Sequence, residues 1–74
     1  MAYLIYGKQK GQKQFKAMDL SSGTQVNNLI YATVFFEDQA PLAELKKYIE
    51  MLNGDNQDWT FEVRQSTDNG YVRV

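Results

Sequence analysis

Protein chemistry starts from side chains that move protons, hold metals or attack carbons, and this chain is short of all three. Its 74 residues include no His and no Cys. The commonest general base and transition-metal ligand is therefore missing. So are disulfides, thiolate zinc sites and cysteine nucleophiles. Carboxylates, Lys and Tyr remain. Glu37 and Asp38 are adjacent. In a strand they would point to opposite faces, and ahead of a helix Asp38 reads as the cap of the free amides. Asp55 and Asp58 flank Asn56-Gln57, but the alternating ligands and closing Glu of a calcium loop are absent. Ser21-Ser22-Gly23-Thr24 could offer backbone amides to an anion, but it reads first as a plain turn. Neither a nucleophile elbow nor a phosphate-cradling glycine loop occurs. These residues point away from an enzyme, with no cofactor, no metal and no small-molecule substrate implied.

Two groups of residues are better suited to binding. The first is the segment from Gly7 to Lys16, where Lys8, Lys10, Lys13 and Lys16 alternate with Gln and enclose Phe15. Lysines neutralise phosphates, and Tyr6 or Phe15 at the base of a hairpin can stack on a base. The bland alternative is a solvated tip whose lysines protect a sheet edge. The segment has no Arg, the usual bidentate reader of phosphate. The second group is aromatic. Tyr3, Tyr6, Tyr31 and Phe36 lie on runs that are apolar on both faces, and they are the candidate protein-interface residues.

Charge is divided along the chain. Residues 1–36 carry four Lys against Asp19 alone, net +3, and residues 37–74 carry four cations against eight carboxylates, net −4. The total of −1 argues against a generally basic nucleic-acid binder. The length fits one domain, 1–74. No linker, repeat, low-complexity tract, membrane span or secretory signal stands out. The missing Cys fits a reducing compartment, so the cytoplasm is expected.

The elements that must position these groups follow from periodicity. Residues 2–6 read as a strand, 7–12 as a polar turn, and 13–20 as a second strand. Ser21-Ser22-Gly23 is a further turn, and residues 24–26 return as a short strand or a loop. Leu29 to Phe36 is apolar without alternation, which predicts a central strand buried on both sides. Leu42, Leu45, Ile49 and Leu52 then keep the 3-4 spacing of a helix, predicted over about 39–53 and stopped by Asn53-Gly54. Trp59, Phe61 and Val63 alternate with polar residues, which predicts a strand. Asn69-Gly70 predicts the loop of a closing hairpin, with Asp68 opposite Tyr71 and Gln65 opposite Val74. Ala32, Phe35, Glu37 and Asp38, between strand and helix, look like a unit common in small bacterial proteins and imply no particular function.

The expected order is β-β-(β)-β-α-β-β, an α+β fold with one helix on a mostly antiparallel sheet of four or five strands. One helix covers one sheet face. The other needs a folded-back segment, a second copy of the chain or a protein partner. The leading expectation is a non-enzymatic module that binds protein, or itself, through an aromatic sheet face or edge. The alternative is a nucleic-acid or polyanion accessory protein acting through the Lys-rich hairpin 8–16. No membrane partner is expected.

Overall fold

Alternation along β1 (Ala2–Gln9) sends Tyr3, Ile5 and Gly7 to one side and Leu4, Tyr6 and Lys8 to the other. The computed structural model describes residues 1–74, and β1 is its central strand. Along one edge, β5 (Trp59–Thr67) pairs antiparallel from Tyr3↔Gln65 to Gln9↔Trp59. Two short strands share the other edge. β2 (Lys16–Asp19) pairs at Tyr6 and Gly7, and β4 (Val34–Phe36) pairs at Ala2 to Leu4. β3 (Thr24–Gln25) lies outside β2, and β6 (Gly70–Arg73) lies outside β5. The result is the expected α+β domain, with six antiparallel strands rather than four or five: β3-β2-β1-β5-β6, and β4 paired to β1 off that path. Its single helix is neither long nor apolar enough to cross a membrane.

The helix α1 (Leu42–Asp55) covers the Tyr3–Ile5 side. Leu45 and Ile49 are its buried residues, and they meet Tyr3, Ile5, Met18 and Val63 in one core. Leu42 and Leu52 pack at the margin of that core, as their spacing predicts. Trp59 and Phe61 also pack there, with rings stacked at 5.8 Å. Gly7 belongs to this face and not to a turn, because β1 continues to Gln9. A Cβ on Gly7 would lie 2.8 Å from Met18 Sδ and 3.1 Å from Phe61 Cδ1. Its bare backbone is what lets those two side chains pack over the strand.

The ends of α1 differ from expectation. Asp38 does not cap it. Glu37 does, accepting from the Leu42 amide at 3.1 Å. The amides of Gln39 and Ala40 both donate to the Phe36 carbonyl, and this tight reversal carries the Glu37 carboxylate back to the first turn of the helix. At the other end Gly54 stays helical, and the helix runs to Asp55. Asn53 is engaged elsewhere. Its amide donates to the Phe61 carbonyl at 3.1 Å and accepts from the Phe61 N–H at 2.8 Å. Pairing with the last strand reaches only Val63, whose carbonyl accepts from the Val74 amide, so a helix side chain replaces the missing strand at Phe61.

The largest correction concerns residues 29–36. They are not a buried central strand. Leu29–Tyr31 form one 3-10 turn, and only Val34–Phe36 join the sheet, as a short edge strand. The Asn28 side chain accepts from the Ile30 amide at 3.1 Å, and its carbonyl accepts from Tyr31, which nucleates the turn. An apolar run with no period does not choose between turn and strand, and Asn28 decides it. Ile30, Tyr31 and Phe36 are 77, 66 and 51% exposed.

Two loops also differ. β2 starts at Lys16, not Lys13, because Gln12 is tied down: its side chain accepts from the Gln9 amide at 2.8 Å and pairs with Gln25. In the last hairpin Thr67 faces Gly70 and Gln65 faces Val72, a slip of two residues from the expected register. An Asn69-Gly70 loop would need positive φ at both residues. Here only Gly70 takes it, at +105°. A slip of two preserves facing, so Val72 still shares the side of Val63.

Candidate functional site: the open sheet face

Opposite the helix, the sheet presents Tyr6 and Lys8 from β1, Glu62 and Arg64 from β5, and Arg73 from β6. Leu4 and Ala17 are buried beneath them. Phe15, from the loop before β2, reaches onto this face. The Arg64 guanidinium lies over the Tyr6 ring, 4.0 Å from its centroid. Two cations lie near the Phe15 ring, Lys8 Nζ at 5.1 Å and Arg64 Cζ at 5.9 Å from its centroid. Glu62 is only 9% exposed. One of its oxygens is 2.6 Å from Arg64 Nε, and the other is 4.0 Å from Arg73 Nε. Tyr6 and Arg64, with Val34 of β4 opposite Leu4, thus cover this side of the sheet where the helix does not.

The four lysines do not converge. Lys8 packs on Phe15, while Lys10, Lys13 and Lys16 are exposed around the hairpin tip and make no ion pairs. The tip is held to the start of β5 by the Lys10 amide, which donates to the Asp58 carbonyl at 2.6 Å. Three surface clefts of about 280, 270 and 370 Å³ are present. They sit at the small end for ligand pockets, and the latter two are lined largely by Lys and Gln of this tip.

The four aromatic candidates separate. Tyr3 is buried in the core under the helix and is not a surface residue. The Glu37 carboxylate near its hydroxyl, with burial adding to it, raises the Tyr3 pKa above the ordinary 10.0. Tyr6 is half-buried beneath Arg64. Tyr31 and Phe36 are exposed, as are Leu29, Ile30 and Val34 of the same stretch of sequence, the apolar strip Leu29–Phe36.

Other sequence candidates find local uses. The anion beside Ser21 is the chain's own Asp19, which accepts from the Ser21 amide at 3.0 Å and hydroxyl at 2.6 Å. These bonds lower the Asp19 pKa below the ordinary 3.8. No three carboxylates gather into a metal-binding group, at Asp55 and Asp58 or elsewhere. Sequence reasoning passed over Glu62, Arg64 and Arg73. Their signal was the polar half of the β5 alternation, where Glu62 and Arg64 share a face as i and i+2.

No protein-family model matches the chain, no curated protein matches its sequence, and no solved structure matches it. The reading of function therefore rests on its own surfaces.

Proposed function

We propose that the chain is a non-enzymatic interaction module that binds protein, a second copy of itself included, through the apolar strip Leu29–Phe36. The observation that carries this reading is exposure: Leu29, Ile30, Tyr31, Val34 and Phe36 all face solvent within eight residues. Scattered exposed apolar side chains are ordinary, but five large ones within one eight-residue segment are a concentration that favours an interaction site. The strip lies on a 3-10 turn and a short edge strand, so covering it requires no rearrangement of the core.

Sedimentation velocity over a concentration series tests the reading. The expected result is a weak dimer that the double substitution Ile30→Lys, Phe36→Lys abolishes without changing the unfolding midpoint. A monomer at about 1 mM, where a contact worth roughly −4 kcal/mol would be half-formed, with no change in the NMR signals of residues 29–36, would remove it.

A further inference from the structure

The open face carries a charge arrangement that folding alone does not require. Arg64 and Arg73 are direct partners across β5 and β6. Like charges directly opposite each other destabilise a sheet pair. The one nearby carboxylate, Glu62, divides its two oxygens between them. With Lys8 on the same side, three cations face one anion, in a chain whose total charge is −1.

Arg64 is held without being used up. Its Nε donates to Glu62 and its plane rests on Tyr6. Its terminal nitrogens, the prongs that grip phosphate two at a time, have no protein partner; Nε→Glu62 is its one side-chain hydrogen bond. Phe15 offers a half-buried ring beside it, and exposed Lys10 and Lys13 continue the positive charge onto the tip.

From this we propose that the open face binds single-stranded nucleic acid, with Arg64 as a fixed phosphate anchor. Arg73 and Lys8 neutralise neighbouring phosphates, and an unpaired base stacks against Phe15 or the outer plane of the guanidinium. Single strands fit because their bases are free to stack on rings and guanidinium planes. A duplex keeps its bases stacked inside and would leave Phe15 idle. An acidic peptide would satisfy the cations and ignore the ring. The site uses residues other than the apolar strip, so it stands or falls independently of it.

Fluorescence anisotropy of the whole chain with a labelled oligo-dT of about 15 nucleotides tests this. Duplex DNA and poly-glutamate serve as competitors. Three phosphate contacts predict log K falling with log salt at a slope of about −2, at roughly −0.7 per contact on single strands. Arg73→Gln, on an exposed side chain, should weaken binding and lower that slope by about 0.7. Phe15→Leu should cost about tenfold at an unchanged slope, as loss of a stacking partner does. Arg64→Gln strands a buried carboxylate, so it is paired with Glu62→Gln. That double variant should lose at least as much affinity as Arg73→Gln while staying folded by circular dichroism. No oligo-dT binding at low salt overturns the proposal. Equal competition by duplex or poly-glutamate, with no effect of Phe15→Leu, overturns it too, and leaves only a nonspecific polyanion surface.

Discussion

Leu4 and Ile5 are neighbours on one strand, each 1% exposed, and they are buried in opposite ways. Ile5 lies under a helix, among Tyr3, Met18, Leu45, Ile49 and Val63. Leu4 points to the side with no helix, opposite Arg64 in the β1–β5 register. One face is sealed by apolar packing. The other is sealed by side chains with apolar stems and polar ends, such as arginine lying on tyrosine. Apolar packing leaves nothing over for a ligand. Polar sealing leaves donors pointing outward, which is why the terminal nitrogens of Arg64, free of protein partners, lie on the helix-free side.

Truncation gives the largest test of this contrast. Ile5→Ala should cost about 4 kcal/mol and Leu4→Ala about 2 kcal/mol, the upper part and the lower end of the usual range for buried aliphatics. The Arg64 stem can settle into the smaller gap, whereas the helix cannot. Urea unfolding measures both, and equal costs would erase the distinction between the faces. A middle-sized effect comes from overpacking the helix face. Gly7→Ala should destabilise by about 1–3 kcal/mol, because Met18 and Phe61 already fill the space of a Cβ. A gain in stability there, as an unhindered Gly→Ala gives, would mean that those side chains are loosely held.

The smallest effect is at the margin of the sheet and depends on pH. The carboxyl of Asp19 has a lowered pKa in the folded chain, through its bonds to Ser21. The folded state therefore favours the ionised form. That stabilisation is complete above the ordinary value of 3.8 and is lost as pH falls through the lower folded value. Unfolding midpoints of the parent and Asp19→Asn should differ at pH 6 and converge in strong acid. Midpoints that stay parallel across that range would show that the Ser21 turn does not hold the carboxylate.

The parts legible in the sequence were those with a period. Leu42, Leu45, Ile49 and Leu52 repeat at helical spacing and form the inner stripe of α1. Trp59, Phe61 and Val63 alternate and form the inner row of β5. The exposed strip was misplaced because Leu29–Phe36 has composition without period, and one Asn28 hydrogen bond redirected its first half. Tyr3 was misassigned for a related reason: both faces of β1 are apolar, so nothing in the strand itself says which faces the helix. The lysine cluster was visible as a run. The arginine site was not, since it joins residues from β1, β5, β6 and a loop, and a charge count records amounts rather than neighbours.

The double hydrogen bond from Asn53 to Phe61 ties the last turns of the helix to the backbone of the sheet. Fraying of the helix end and opening of that sheet edge are thereby one event rather than two. The Phe61 amide is a natural reporter of it. Its exchange with solvent deuterium should follow the amides at the end of α1 in rate and in temperature dependence, as members of one cooperative unit do.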